Sequence, residues 1–452
     1  MRAINPATGE TIREYPEPGP DEVEHRLSDA ARAFEDWRRT RFEMRAGLMR
    51  GLGATLRERR DALARLMTLE MGKPIAAAEA EVDKCALAAD YFAEHAPAFL
   101  APEPIGSDAA RSLVRYDPLG AVLAVMPWNF PLWQALRAAI PAVMAGNVVV
   151  LKHASNVPGC AVAIEELFTG SGFPAGVFTT LLLPSARAEA LVDHQAIRAV
   201  TLTGSEPAGR ALAARAGAAL KKTVLELGGS DPFVVLADAD PDAVAAQAVA
   251  ARVQNNGQSC IAAKRFIVEA PVAERFERAF AERMAALKMG DPLDRANEVG
   301  PLARDDLRDT LDRQVRDSVA AGARLLAGGA RRPGPGYYYA PTVLAGVVPG
   351  MVAFDEETFG PVAAVTRARD VDEALALANR SRFGLGASVW TGDPARGEAL
   401  AASIDAGLVF VNGIVKSDPR LPFGGVKASG YGRELSAAGI REFVNIKTVW
   451  VR

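Results

Sequence analysis

A single thiol, Cys260, follows the short polar turn Asn255-Asn256-Gly257-Gln258-Ser259, and a carboxylate, Glu226, lies 34 residues upstream at the end of an apolar run and just before Gly228-Gly229. A thiolate nucleophile needs partial exposure and a nearby group that takes its proton, and a turn rich in small residues suits that better than the middle of an apolar strand. A lone cysteine also serves as a small buried apolar residue, and Glu226 as a backbone-satisfied structural carboxylate, so residue type alone leaves both readings open. None of the four histidines (His25, His95, His153, His194) falls where a Cys–His pair is expected, so a base for Cys260 would have to be a carboxylate, and Glu226 is the candidate. Asn129 sits between Trp128 and Phe130 in a corner flanked by Pro127 and Pro131. A carboxamide there either shapes the turn or donates to a developing oxyanion.

A second group of residues points to phosphate. Thr203-Gly204-Ser205-Glu206-Pro207-Ala208-Gly209 follows an apolar strand and opens a helix, where free backbone N–H groups and the helix dipole favour an anion. It is not the G-x-G-x-x-G fingerprint, and a plain strand–helix turn is the alternative. Lys152 ends another strand, where its ammonium either is solvated or holds a ribose or phosphate. Together the two suggest a dinucleotide.

The elements that must position these groups alternate. Apolar runs at 121–126, 148–151, 177–182, 199–202 and 224–227 are separated by helical segments near 132–145, 158–169, 186–193 and 206–218, the pattern of a doubly wound parallel sheet whose ligands sit beyond the strand carboxyl ends. Residues 21–96 read as helices interrupted at Gly72-Lys73-Pro74, and the prolines Pro97, Pro102 and Pro104 end helix before an exposed strand at 112–116. A second α/β section, with strands at 233–236, 265–268, 361–365, 387–390 and 408–411, follows, and the last twenty residues form a strand free to pair with the 112–118 arm of this or another subunit. The expected division is a cofactor domain at 1–96 and 119–228, a catalytic domain at 229–430, and a bridging arm at 97–118 and 431–452.

Bulk properties narrow the partners. With 452 residues, 49% of them apolar, a net charge of −3 and no long run of like charge, nucleic acid and anionic membrane are poor partners. No apolar signal core or span of 18 apolar residues is present, and three dispersed cysteines make neither a disulfide framework nor a metal-binding spacing. A cytoplasmic protein without metal is expected.

Pro127-Trp128-Asn129-Phe130-Pro131, Lys152, Gly204-Ser205, Glu226-Leu227-Gly228-Gly229, Gly257-Gln258-Ser259-Cys260, Glu357-Thr358-Phe359-Gly360-Pro361 and Pro422-Phe423-Gly424-Gly425 stand in the order found in the aldehyde dehydrogenase superfamily, which the chain resembles from Asn5 to its C-terminus. Lys152-His153-Ala154 and Leu227-Gly228-Gly229-Ser230-Asp231-Pro232-Phe233 make it most similar to the short bacterial NAD(P)-dependent succinate-semialdehyde dehydrogenases. The resemblance implies the aldehyde dehydrogenase fold: a Rossmann-like cofactor domain, an α/β catalytic domain and a small oligomerisation arm that builds a homodimer or homotetramer. It implies Cys260 as nucleophile, Glu226 as general base, and Asn129 with the Cys260 backbone N–H as oxyanion hole. It further implies Lys152 and Glu357 at the two riboses, Ser205 at the pyrophosphate and Phe359 near the nicotinamide ribose. Trp128, His153, Ala154, Ser155, Gly204 and Leu227 complete the expected NAD or NADP site. Arg137 is expected to hold the substrate's distal carboxylate, with uncharged Gln254 where some relatives carry a second arginine. Ser155 stands where NAD-preferring relatives often have Glu, so NADP is permitted, and Ala262 leaves no thiol beside Cys260 for a redox switch. A glutamate at 226 favours hydrolysis over acyl transfer to coenzyme A. A broader aldehyde dehydrogenase and a non-catalytic protein on the same fold are the rival readings.

Overall fold

Short apolar runs bounded by turn residues build two parallel sheets in the computed structural model, which describes residues 1–452. The first sheet has six strands in the order Gly430–Tyr431, Lys222–Glu226, Ile197–Thr203, Ala121–Met126, Val148–His153 and Phe178–Thr180. Every pairing is parallel except that of Gly430–Tyr431 with Lys222–Glu226. Strand Val148–His153 is buried along its whole length, because helices cover both faces, and this explains a continuous apolar run instead of an alternating one. The chain leaves Ala121–Met126 in one direction toward Val148–His153 and later returns on the other side through Ile197–Thr203. The crevice between the carboxyl ends of Ala121–Met126 and Ile197–Thr203 is therefore the topological switch point where ligands of such sheets bind.

The second sheet orders Arg324–Ala327, Thr342–Ala345, Val362–Ala368, Arg265–Glu269, Pro232–Val235, Gly386–Trp390 and Leu408–Val411. Its first two strands escape the sequence pattern. Arg324–Ala327 is a half-exposed antiparallel edge whose apolar run, Leu325-Leu326-Ala327, is only three residues long, and Thr342–Ala345 is buried but only four residues long. At the N-terminus, helices Pro20–Trp37, Phe42–Glu58, Arg60–Met71 and Ile75–Phe99 pack against the first sheet. Gly72 ends the third in the left-handed region at φ 80°, where glycine carries no Cβ penalty. Pro97 does not end the fourth helix as expected. It lies in the last turn, where it removes one ladder bond, and Leu100 N–H still reaches Ala96 O at 3.1 Å.

The arm pairs within its own chain. Arg111–Pro118 runs antiparallel to Val444–Val451 through eight register pairs, with Glu103–Pro104 on its other side. Gly430, placed by the sequence pattern at the end of the second section, instead pairs with Glu226 in the first sheet.

Candidate active site

Strand Ala121–Met126 ends in the Asn129 corner, and helix Pro131–Ala145 begins directly after it with proline in its first turn. Three groups hold the corner. Oε1 of Glu81 accepts from the N–H groups of both Leu132 and Trp133 at 2.9 Å, satisfying donors that the helix itself leaves orphaned. The other oxygen of Glu81 is ion-paired with buried Lys73, whose ammonium lies 4.2 Å above the Phe130 ring. His153, expected at the cofactor, donates from Nε2 to Pro131 O at 2.8 Å and accepts from Ala154 N–H at Nδ1, also at 2.8 Å. Burial pushes its pKa down to about 4, so the ring is a neutral brace under the corner and is not turned toward a ligand. Asn129 itself accepts from Gln134 Nε2 at 3.0 Å, and its Nδ2 donates to Gln258 O at 3.1 Å. One N–H of the carboxamide is thus used and one is left for a ligand.

The turn before the thiol is wound in the left-handed region at three successive residues, Asn255 (φ 54°), Asn256 (φ 59°) and Gly257 (φ 74°). Asparagine tolerates that region, and its side chain bonds the backbone nearby. Asn255 Nδ2 donates to Asn129 O at 2.7 Å, which ties the turn to the carboxamide corner. Asn256 Nδ2 donates to the carbonyls of Gly72 and Pro301, both at 2.9 Å, and Gln258 Oε1 accepts from Ala303 N–H at 2.9 Å. A Cβ on Gly257 would lie 2.3 Å from the Gly360 backbone, so only glycine fits. Beneath the turn, buried Lys264 donates to the carbonyls of Ser259 and Cys260 at 2.8 Å and of Ala262 at 3.1 Å. No motif in the sequence singled it out. Cys260 is half-buried, and burial pushes its thiol up to about 12 against the opposing pull of Lys264 and Arg137. The resting group is a neutral thiol.

Glu226 ends strand Lys222–Glu226, but its side chain is 2% exposed and does not reach the cleft, which its neighbours Leu227 and Gly228 line. Neither carboxyl oxygen has a hydrogen-bond partner, and the absent side chain of Gly424 makes room for Oε1. Burial first, and then the nearby Glu434 carboxyl, raises its pKa well above the usual carboxylate range, while Arg137 and Arg433 oppose the shift. Arg137 is not free for a substrate carboxylate as expected. It is 2% exposed, ion-paired through Nε with Glu434, 3.4 Å from Thr203 Oγ1 through Nη2, and stacked 4.4 Å over the Phe423 ring. A guanidinium so buried must be paired, and Glu434, 297 residues away in sequence, is invisible to local spacing. Gln254 is turned inward as well, toward Ile261 O at 3.4 Å and Ala251 O at 3.5 Å.

One cleft of about 340 Å³ gathers Cys260 and Asn129 with Trp128, Ser205, Glu357 and Phe359 at the switch point. Trp128 and Phe359 meet edge to face at 5.7 Å. Glu357 Oε1 accepts from Gly229 N–H at 3.1 Å and lies 3.5 Å from Lys264 Nζ. A Cβ on Gly228 would come within 2.4 Å of Glu357 Oε2, which accounts for the glycine pair after Glu226. Gly204 also lines the cleft, and Ser205 precedes helix Glu206–Ala218 without a side-chain cap bond, leaving the first-turn N–H groups open to an anion. Arg304 and Leu307 close the far side; both escaped the sequence pattern, and Arg304 is held by Asp306. Lys152 is buried with only Ser185 Oγ, at 3.2 Å, as partner, and burial pushes it down to about 8. Beyond it, Ala154 is half-buried and Ser155 exposed. No three His, Cys, Asp or Glu side chains come together as a metal site.

The fold is a doubly wound scaffold with a cysteine-bearing cleft at its switch point. The aldehyde dehydrogenase family model matches residues 1–449, and the chain belongs to that family. It is 53% identical over 456 aligned positions to the succinate-semialdehyde dehydrogenase [NADP(+)] 1 of Mycobacterium tuberculosis strain H37Rv, covering 100% of this chain and 99% of that protein. To the succinate semialdehyde dehydrogenase [NAD(P)+] Sad of Escherichia coli K12 it is 52% identical, with 99% and 97% covered. The crystal structure of succinic semialdehyde dehydrogenase from Streptococcus pyogenes in complex with NADP+ superimposes with a TM-score of 0.97 at 36% identity, covering 100% of this chain and 99% of that one.

Proposed function

We propose that this aldehyde dehydrogenase oxidises succinate semialdehyde to succinate with NAD or NADP. The observation that carries the reading is the single cleft in which the Cys260 thiol meets the Asn129 carboxamide and the Glu357–Phe359 wall, and the full-length relatives named for that substrate support it. The residues at the switch point fit a dinucleotide. Lys152 is a buried cation lacking a carboxylate, suited to ribose hydroxyls or a phosphate, and the open N–H groups after Ser205 suit a pyrophosphate. Glu357 faces the same space as a second ribose ligand. A nicotinamide dinucleotide bound there supplies the acceptor for the hydride that leaves the substrate carbon.

The protein's own part begins with the thiol. Cys260 is half-buried, so as sulfur adds to the carbonyl carbon its proton passes to water in the cleft. The resulting oxyanion sits against the free N–H of Asn129 and the Cys260 backbone N–H, donors worth roughly 100- to 1000-fold each in such sites. Once oxidised, the acyl group is a thioester on Cys260. Glu226, turned out from its place behind the cleft, takes a proton from water as the water oxygen attacks the acyl carbon. Sulfur leaves as thiolate and the carboxylic acid is released. Three unpaired cysteines fit a reducing, cytoplasmic setting, and a homodimer or homotetramer built on the arm sheet completes the reading.

The test is turnover of reduced cofactor with succinate semialdehyde and with butanal, in the wild type and in Cys260→Ala. Succinate semialdehyde should be preferred in kcat/KM, and Cys260→Ala should bind cofactor yet turn over neither aldehyde. Activity in that variant overturns the nucleophile, and equal use of both aldehydes overturns the substrate.

A further inference from the structure

Lys264 is fully buried beneath the thiol turn, and its three carbonyl partners, those of Ser259, Cys260 and Ala262, take all three protons of an ammonium. Burial draws its pKa down, and the Glu357 carboxylate, 3.5 Å away, opposes that shift. For the carbonyls of Cys260 and Ala262 it is the only donor in the protein; the carbonyl of Ser259 also accepts from Ala262 N–H at 3.1 Å. The inward direction of these groups is built from the other side as well, since a Cβ on Gly229 would lie 2.6 Å from the Cys260 carbonyl oxygen.

A trans peptide unit is planar, so a carbonyl drawn one way turns the N–H of the next residue the other way. With the Ser259 carbonyl bound to Lys264 below the turn, the Cys260 N–H is aimed away from it, at the cleft that Cys260 lines, and it has no acceptor within the protein. That N–H is the backbone partner of Asn129 at the oxyanion. We propose that Lys264 is a positioning residue for this donor: by pinning three carbonyls under the turn, it fixes the plane of the Ser259–Cys260 peptide so that its N–H meets the oxyanion. The inference rests on the nucleophile and oxyanion reading above. A buried carbonyl left without a donor seeks another, and the peptide plane turns with it. An N–H so turned loses its alignment, and with it much of its effect on the transition state.

The test compares two reactions of one thiol. The first is kcat/KM for succinate semialdehyde at saturating NADP, which passes through the oxyanion. The second is alkylation by iodoacetamide, which displaces iodide and forms no oxyanion. Cys85 and Cys160 are buried, so alkylation reports Cys260. Loss of the Lys264 charge changes the thiolate fraction in both reactions alike, and the ratio of the two rates cancels it. In Lys264→Met, which keeps the apolar stem and removes the donors, the ratio should fall about 10- to 100-fold. In Lys264→Gln, which keeps two N–H groups, it should fall by less, but by at least about threefold. An unchanged ratio in Lys264→Met, including one in which both rates fall together, overturns the assignment. If that variant does not fold, an unchanged ratio in Lys264→Gln overturns it. Wild-type turnover that survives complete alkylation of Cys260 overturns the nucleophile reading and the positioning role with it.

Discussion

Glu226 is the residue whose placement says most about turnover. It lies behind the cleft without a hydrogen-bond partner, its carboxyl pushed toward the protonated form first by burial and then by the neighbouring carboxyl of Glu434, itself raised by burial. A base with a raised pKa gains its active form as pH rises, so hydrolysis of the acyl-enzyme should quicken with rising pH and level off once Glu226 ionises. Glu226→Gln keeps the shape and removes the basicity. In rapid mixing, it should give a burst of reduced cofactor followed by slow turnover that has lost this rise with pH. Loss of the burst itself would place Glu226 in the addition step as well. That Cys260 and Asn129 come to one cleft was legible in the sequence, because each stands in a turn beyond the end of a strand or helix. That Glu226 faces away from the cleft was not, since its environment is made by Gly424, Arg433 and Glu434, two hundred residues downstream.

Among the elements, the helix Pro131–Ala145 does most to hold the site, and Glu81 does most to hold that helix. Its carboxylate satisfies two N–H groups at the helix start and neutralises buried Lys73. In Glu81→Gln the two N–H groups keep an acceptor but Lys73 is left as an uncompensated buried charge, which should destabilise the fold by about 3–5 kcal/mol, read as a lower denaturant midpoint. Replacing both partners by apolar residues should recover much of that loss; no recovery would show that Glu81 acts through the helix start alone. The five parallel strands of the first sheet and the helices between them were legible to within a residue or two from apolar runs and turn residues, whereas the antiparallel edge Gly430–Tyr431 was not. Glu81 was not: on an alanine-rich helix it reads as an ordinary solvated charge, and only the packing of Ile75–Phe99 against Pro131–Ala145 gives it partners there.

For the whole molecule, the arm is the part left open. Along Val444–Val451, alternation puts Ile446, Thr448 and Trp450 on one face, and Ile446 is 62% and Trp450 50% exposed. Apolar side chains so exposed on a three-stranded sheet suit contact with a second copy, and the double variant Ile446→Glu/Trp450→Glu should lower the mass measured by light scattering to that of a smaller assembly. An unchanged mass would place the interface elsewhere. The same sheet also constrains how the chain is made. Arg111–Pro118 leaves the ribosome some 330 residues before its partner Val444–Val451, and Lys222–Glu226 likewise waits for Gly430–Tyr431. At about 5–20 residues per second the arm strand keeps one edge open on the order of tens of seconds. Each molecule thus closes its arm and the edge of the first sheet only once Gly430–Tyr431 and Val444–Val451 have been made, and a chain stalled short of them carries two strands that each lack one neighbour.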